Sequence, residues 1–458
     1  MALEGSAAEP CSPANTFARR WGNVLGILLF TLLLVALSVR QSYLMVIPGE
    51  PARSDAAGLN GLADFQDVIY VPLHAVRDGV NPYDCGSDPR PDGTLRYRQR
   101  YPALNLFPLY SPLLFVLYWP FGYGDFVASG IAYMALNVGL LLGFAHYCWR
   151  CAGIRPTIGH TTLLATAMLA TQAGRSNFLG GETALALALG SLAAVKLAPR
   201  YPWLAGMALA LTSFKPTFGL PLGILLLACG YYRTVAVGWS VGFVAGVAGL
   251  LLIFSRSGDL PRMPEILLRN QQVLESDPDA DAKTSAMRVD SAGAIERWLP
   301  LGKSVAFAAP ILLLGIACSA LWQLRAARSQ SEAELLTIAI VALTTVSCMY
   351  HITYDSLLVW AAIVIVGLAP CTMWPKASQR WRWCVAALLF VPMINLLGTK
   401  SVVDLQTNWL PAISLLPTPL LDYGWRLVCT LNGIALLAAL CLLAQRARQV
   451  ATTMPRAG

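Results

Sequence analysis

Long apolar runs constrain this chain more than any other feature of its sequence. Hydrophobic residues make up 56% of its 458 residues and charged residues only 13%. In soluble globular proteins, roughly 45–50% of residues are apolar and about 25% are charged. The excess is gathered into stretches that approach the ~20 residues needed to cross the hydrocarbon core of a bilayer. We therefore expect an all-α polytopic membrane protein. A soluble enzyme, a disulfide scaffold, a coiled coil and a nucleic-acid-binding domain are excluded.

Twelve runs are predicted to be membrane-spanning helices. They lie at about 21–39, 126–147, 159–171, 181–197, 201–213, 217–231, 234–254, 303–324, 333–350, 354–372, 381–398 and 420–444. The first run follows Arg19-Arg20 and is predicted to be an uncleaved signal anchor. This gives a cytoplasmic tail at 1–20, one transmembrane domain at 21–445 and a second cytoplasmic tail at 446–458.

The basic residues predict which loops face the cytoplasm. The chain has 33 Lys and Arg against 25 Asp and Glu, a net charge of +8, and cytoplasmic loops of membrane proteins are rich in Lys and Arg. This rule holds along the chain if the proline-containing stretch Phe107–Phe121 dips into the outer interface without crossing. The two long hydrophilic segments, about 40–106 and 255–302, then both lie on the outer side.

The first outer loop carries a row of polar side chains spaced three or four residues apart. They are Asp64, Asp67, Tyr70, His74 and Asp78. A helix over about 64–78 would align them on one side, with a kink at Pro72 and an end at Gly79. The alternative interpretation is a solvated helix beside the membrane with carboxylates on its surface.

Two polar interruptions of apolar runs, Gln172–Gly181 and Ser213–Pro216, are predicted to be turns that line a cavity open to the outer side. Lys215 lies in the second and offers a positive charge for a phosphate, although a lysine that merely anchors the topology is the alternative. His351 and Asp355 are four residues apart, so Asp355 can orient the imidazole.

Several short motifs, in this order, resemble glycosyltransferase family 87, which contains membrane-embedded GT-C enzymes such as the mycobacterial polyprenyl-phosphate-mannose-dependent mannosyltransferases. The "DF…GxxPYD" opening is matched by Asp64-Phe65 and Asp78-Gly79-Val80-Asn81-Pro82-Tyr83-Asp84. The later motifs are Tyr101-Pro102-Ala103-Leu104 for YPPL, Gln172…Asn177 for GQxN, Lys215-Pro216-Thr217 for KPT, and His351…Tyr354-Asp355. The YPPL and GQxN matches are imperfect. The resemblance covers roughly residues 20–445.

This resemblance implies a GT-C-type bundle of about 12 transmembrane helices with an outer catalytic loop region. It implies an inverting transferase that moves a hexose, with mannose expected, from a polyprenyl-phosphate donor to a lipid-linked or cell-envelope glycan. Asp64 would be the general base, and the donor phosphate would be bound by Lys215, His351, Arg288 and Arg297. Substrate-binding or supporting roles would fall to Asp67, Tyr70, His74, Tyr101, Gln172, Asn177, Tyr354 and Asp355. The active site would lie on the periplasmic side of a bacterial inner membrane.

No metal or other cofactor is expected. Asp277-Pro278-Asp279-Ala280-Asp281 alternates carboxylates, but it lacks the turn glycine and the final glutamate of a calcium loop. A transporter or lipid-glycan flippase without transferase chemistry remains an alternative, because broken helices and intramembrane charges suit a carrier too. A lipid-glycan ligase or polymerase is a third possibility.

Overall fold

The computed structural model describes residues 13–46, 62–85, 96–100, 110–275, 285, 287–299, 303–375, 377–395 and 418–453. Within these residues the protein is helical, and its only β pairing is an isolated bridge between Arg288 and Ile352. The helices are α1 (Pro13–Val46), α2 (Val71–Arg77), α3 (Tyr97–Arg100), α4 (Leu113–Tyr118), α5 (Phe126–Cys151), α6 (Ile158–Ala170), α7 (Gln172–Gly180), α8 (Ala184–Leu197), α9 (Pro202–Thr212), α10 (Pro216–Ala228), α11 (Tyr232–Ser257), α12 (Met263–Glu275), α13 (Ser291–Glu296), α14 (Lys303–Leu324), α15 (Ser331–Ser347), α16 (Val359–Ile363), α17 (Gln379–Ile394) and α18 (Thr418–Thr452).

All twelve predicted spans fall on apolar helices, but the structure does not confirm twelve crossings. In the described part of the chain, five helices are long and apolar enough to span a bilayer, and these are α1, α5, α11, α14 and α18. The bent pair α7 and α8 makes a sixth candidate. Several others are shorter: α9, with 11 residues, is about 17 Å long at 1.5 Å per residue, against ~30 Å of hydrocarbon.

Among the long helices in the described part of the chain, α15 is deeply buried, with nearly every side chain from Glu332 to Ser347 enclosed. A helix that is apolar on all sides belongs in the centre of a bundle, and α15 packs against α8, α14, α16 and α18. Beyond its end, a 3₁₀ turn at Thr353–Leu358 leads into α16 and packs against α7 and α8. The bundle core therefore supports the segment that carries His351 and Asp355.

A sharp bend separates α7 from α8. Gly181 follows α7 with φ +74°, a left-handed conformation suited to glycine, and the two helix axes differ by 119°. The prediction of a polar turn over Gln172–Gly181 was wrong, because this stretch forms a helix capped by the Thr171 side chain. The turn prediction was right for the second interruption, where α9 ends at Thr212 and α10 begins at Pro216.

The helix predicted over 64–78 is present, but its first part is wider than expected. Phe65–Tyr70 is a π-helical turn in which the Val71 N–H bonds the carbonyl of Gln66, and α2 continues from it. Pro72 lacks an N–H to donate, and the wider turn precedes it. A π turn changes the side-chain period, so the three- and four-residue spacing does not hold through Phe65–Tyr70, whereas beyond it the rings of Tyr70 and His74 lie 4.4 Å apart.

The ambiguous stretch Phe107–Phe121 is short in the structure. Its described part forms α4 and a 3₁₀ turn at Trp119–Gly122, and residues 107–109 lie outside the described residues. The apolar helix Leu113–Gly122 has ten residues, so it is about 15 Å long. That length is half of a bilayer core and suits a segment lying at the interface.

We predict from the positive-inside rule that reporters fused after Arg328 and Arg380 report the cytoplasm, whereas one fused after Gly258 reports the periplasm. Arg325 and Arg328 lie in a cation-rich loop after α14, and such loops face the cytoplasm. Gly258 follows α11, which leads from the cytoplasmic side to the outer side in this topology. Alkaline phosphatase and green fluorescent protein fusions measure the two sides. The reverse pattern would mean that Leu113–Gly122 crosses and would invert the orientation of the bundle.

Candidate active site

A buried ionic cluster joins the two late motifs of the sequence. The Lys215 ammonium donates to both carboxylate oxygens of Asp355 at 2.7 Å. Asp355 Oδ2 also lies 3.0 Å from His351 Nδ1. The side chains of His351 and Asp355 are fully buried, and that of Lys215 is 6% exposed. Lys215 and Asp355 are 140 positions apart in the chain, and with His351 they form one charged centre.

Local sequence fixes the orientation of Lys215. It lies in extended conformation at the N-cap position of α10, with Pro216 as the first helical residue, where a proline is tolerated because its missing N–H is not needed. Its ammonium lies 5.2 Å from the ring centre of Tyr354 and 5.6 Å from that of Phe218. Both rings attract a cation, so aromatic contacts and Asp355 together stabilise its charge.

His351 is held at both ring nitrogens. Nδ1 faces Asp355, and Nε2 lies 3.2 Å from the backbone carbonyl oxygen of Thr217. Both neighbours are acceptors, so both nitrogens occupy donor positions. The Phe218 ring packs edge-on against the imidazole at 4.6 Å. Although His351 precedes the 3₁₀ turn, its four-residue spacing to Asp355 does bring the two side chains together.

Asp64 meets a second carboxyl group, that of Glu182. Their side chains share a hydrogen bond, and Glu182 is buried directly after the glycines between α7 and α8. Those glycines allow the approach. A Cβ atom added to Gly180 would lie 2.7 Å from an Asp64 oxygen, and one added to Gly181 would lie 2.7 Å from Phe65 Cβ. We conclude that Gly180-Gly181 is a helix junction that admits the Asp64 segment.

The carboxyl pair and the ionic cluster belong to one site. Burial raises the pKa of Asp64 above its ordinary value, and the nearby Asp355 carboxylate acts in the same direction. The hydrogen bond from Glu182 and the Lys215 charge oppose this increase. Asp64 is therefore within electrostatic reach of both Lys215 and Asp355. A carboxylate with a raised pKa is a stronger base, which suits proton removal.

Aromatic side chains surround the two acidic residues. The rings of Phe65 and Tyr133 stack at 4.6 Å, and the Tyr133 hydroxyl donates to the backbone carbonyl of Glu182 at 3.0 Å. Tyr110 is buried close to Glu182 and Asp64, and its carbonyl accepts the Tyr83 hydroxyl at 2.7 Å. This wall excludes water and so strengthens charge interactions inside the site.

Asn177 and Gln172 lie on the helix that leads to Glu182. The Asn177 amide donates to the carbonyls of Ala173 and Tyr354 at 2.8 and 3.0 Å, which joins α7 to the segment after His351. The side-chain oxygens of Gln172 and Asn177 and the Thr217 hydroxyl are buried without a partner in the described part of the chain. Buried polar atoms of this kind normally have partners, so they are free to bind a ligand.

Arg288 and Arg297, the other two predicted phosphate ligands, bond to groups of the protein. Arg288 forms two hydrogen bonds of 2.8 Å with Asp290, and Arg297 donates to the carbonyls of Cys429, Ser285 and Arg288. The Asp290 side chain also accepts the backbone N–H of His351 at 3.4 Å. These contacts tie both arginines to the segment that begins at His351, and their role in binding the donor phosphate stays a prediction.

The remaining residues of the first outer loop lie apart from the ionic cluster. The Tyr70 hydroxyl donates to the Gly124 carbonyl at 3.2 Å, and its ring lies 4.4 Å from that of His74. His74 Nε2 is buried without a partner in the residues that the structure describes, and Asp67 is half-buried. Tyr101 lies outside the described residues.

Glu182 is the residue that the sequence analysis missed. Its signal was a single carboxylate inside an otherwise apolar run, since ionisable groups within membrane helices are rare and mark functional sites. Within the described residues, no three His, Cys, Asp or Glu side chains come together as a metal site, and the Asp277–Asp281 stretch lies outside them.

Comparison with known protein families gives a match over half of the chain. The model of glycosyltransferase family 87 matches residues 108–351, more than half of the 458 residues, and this range contains Glu182, Lys215 and His351. Asp64 and Asp355 lie outside it. No curated protein and no solved structure matches the chain. With its apolar, membrane-spanning helices and this match, the chain belongs to glycosyltransferase family 87 and is a membrane glycosyltransferase.

Proposed function

We propose that the protein is an inverting hexosyltransferase that uses a polyprenyl-phosphate sugar as donor. The observation that carries this proposal is that a carboxyl pair, Asp64 and Glu182, lies within electrostatic reach of the buried cation Lys215. Such a transfer needs a base for the acceptor hydroxyl and a positive charge for the departing phosphate. Both requirements are met in one water-poor site.

Asp64 is the general base in this proposal. Asp64 as a whole residue is partly exposed, and burial of its carboxyl group raises its pKa and so its basicity. Glu182 is fully enclosed and hydrogen-bonded to Asp64. Two carboxyl groups that share a hydrogen bond share a proton, so Glu182 positions Asp64 and holds that proton.

Lys215 binds the donor phosphate in this proposal, and His351, whose two ring nitrogens face Asp355 and the Thr217 carbonyl, positions Asp355 beside it. The ammonium has three N–H donors, and the two bonds to Asp355 leave one for a phosphate oxygen. A lysine that bonds phosphate in both the ground state and the transition state contributes to donor binding as well as to rate. The unpartnered polar atoms of Gln172, Asn177 and Thr217 suit the hydroxyl groups of a sugar.

Mannose is the proposed hexose and a lipid-linked or cell-envelope glycan the proposed acceptor, following the family resemblance. With the cation-rich ends of the helices in the cytoplasm, the site opens on the periplasmic side of a bacterial inner membrane. A GT-C-type bundle places its active site there. The polyprenyl chain would then lie in the bilayer beside the site.

A carrier without chemistry is the second candidate, because the 119° bend between α7 and α8 resembles the broken helices of transporters. One experiment separates the two. Purified protein in detergent is incubated with polyprenyl-phosphate-[¹⁴C]mannose and a membrane-lipid extract, and the products are resolved by chromatography. Label that appears in a new glycolipid supports the transferase. A carrier moves labelled donor across liposomes and leaves it unchanged. The matching glucose and galactose donors identify the sugar.

The pH dependence of transfer tests the assignment of Asp64. A base works only when deprotonated, so kcat/KM should fall as the pH drops through the Asp64 pKa, which burial holds above its ordinary value of 3.8. Glu182→Ala removes a hydrogen bond that lowers this pKa, and the acid limb should therefore move to higher pH. Asp67→Ala is the matched control and should leave the limb in place. An unchanged or lowered limb in Glu182→Ala would contradict the pairing.

A further inference from the structure

A large cavity lies at the opposite end of the bundle from the active site. Its volume is about 660 Å³, and it is lined by residues at the C-terminal ends of α5 and α8 and the start of α15. The first residue of α5, Phe126, packs against Phe65 next to Asp64, and Cys151 ends this 26-residue helix near the cavity. At 1.5 Å per residue, about 39 Å separate the two ends, so the cavity is not part of the active site.

Five cations surround this cavity and one acidic residue accompanies them. The cations are Arg150, Arg155, Lys196, Arg200 and Arg328, and the acid is Glu334. Glu334 pairs with Lys196, and the Arg328 guanidinium lies 4.5 Å above the Tyr231 ring. Throughout the ranges that the structure describes, Arg150, Arg155 and Arg200 make no ion pair. The cavity therefore has an uncompensated positive charge.

The positive-inside rule accounts for cations in these loops, but not for their convergence on one cavity. Other cations of the same end have partners of their own: Arg446, for instance, is bonded to the buried Glu332. The cavity also offers apolar side chains, including Ile154, Val195 and Ile338, beside the aromatic rings of Tyr147 and Tyr201. This combination of charge, aromatic rings and apolar wall is typical of a membrane interface.

We infer that this cavity binds the head group of an anionic glycerophospholipid, with the phosphate on the arginines and the glycerol and upper acyl chains against the apolar wall. Basic pockets between transmembrane helices on the cytoplasmic side take lipids of this class. The position of the cavity at the ends of bilayer-spanning helices favours a lipid over a soluble anion. A free phosphate would use the same arginines without needing the apolar wall, and the experiment distinguishes the two sources.

The test measures lipid binding to the full-length protein and needs no transferase activity. Native mass spectrometry of protein in neutral detergent counts bound phosphatidylglycerol and phosphatidylcholine over a concentration series. We expect the wild-type protein to bind one phosphatidylglycerol in preference to phosphatidylcholine. Arg155→Gln with Arg200→Gln should weaken phosphatidylglycerol binding about thirty-fold, since each cation near an anionic surface contributes about a factor of five.

Arg380→Gln with Arg448→Gln is the matched control, because both arginines are exposed near this end and neither lines the cavity. It should change binding less than threefold. The charge-conserving pair Arg155→Lys with Arg200→Lys should keep most of the affinity, which assigns the loss in the Gln pair to the missing positive charge. Ten millimolar inorganic phosphate should not displace the lipid.

Three results would overturn the inference. The first is a wild-type protein that does not prefer phosphatidylglycerol. The second is an equal loss of phosphatidylglycerol affinity in the Gln pair and in its control. That result would mean that the lipid is attracted by the total positive charge at this end of the bundle and not by the cavity. The third is full displacement by inorganic phosphate, which would assign the cavity to a soluble anion.

Discussion

Asp64→Asn is expected to lower the rate of sugar transfer by about 10²–10⁴-fold, the contribution of a positioned general base. Asparagine is nearly the same size as aspartate and still hydrogen-bonds Glu182, so the fold should persist. Its amide, however, cannot take the proton from the hydroxyl group of the acceptor substrate. Binding of the polyprenyl-phosphate sugar should be unchanged, because we assign the phosphate to Lys215 and not to Asp64. Single-turnover experiments measure the rate of transfer, and equilibrium binding of the labelled donor measures its affinity.

Asp67→Asn is the matched control for this experiment. It lies in the π-helical turn that follows Asp64 and undergoes the same change of charge, but the carboxyl group that is hydrogen-bonded to Glu182 is that of Asp64. It should transfer at close to the wild-type rate. If Asp67→Asn abolishes transfer while Asp64→Asn does not, the base has been assigned to the wrong carboxylate.

Lys215→Ala is expected to reduce both stability and transfer. It leaves the fully buried Asp355 carboxylate without its main partner, and breaking a buried ion pair from one side costs about 3–5 kcal/mol. The remaining contact with His351 makes the lower end of this range the better expectation. Donor binding should weaken and transfer should fall at least a hundredfold, since the phosphate loses a charge that binds it throughout the reaction. Thermal unfolding and donor titration measure the two effects.

The double variant Lys215→Met with Asp355→Asn separates structure from function. It removes both charges, and the asparagine side chain still offers an acceptor to His351. The unfolding temperature should therefore recover most of the decrease expected for Lys215→Ala. Transfer should remain low, because no cation faces the phosphate. Transfer at the wild-type rate in this variant would show that Lys215 serves only to neutralise Asp355.

Sequence alone determined the class of the fold because its signals are local. Lengths of apolar runs predict helices and the membrane, and each of the twelve predicted runs does fall on an apolar helix. The four-residue spacing of His351 and Asp355 predicted their contact, and Lys215-Pro216 predicted a polar turn before a helix; the structure contains both. Each of these features depends on residues a few positions apart.

Only the tertiary structure decided which distant groups meet. Asp64 reaches Glu182 through a glycine pair and a π-helical turn, and neither changes the apolar pattern from which helices are predicted. Arg288 and Arg297 show the converse, since their charge was visible in the sequence but their partners were not. A sequence records which groups are charged. Whether a charge is free to bind a phosphate depends on which neighbours the fold places around it, because a nearby acceptor satisfies it first.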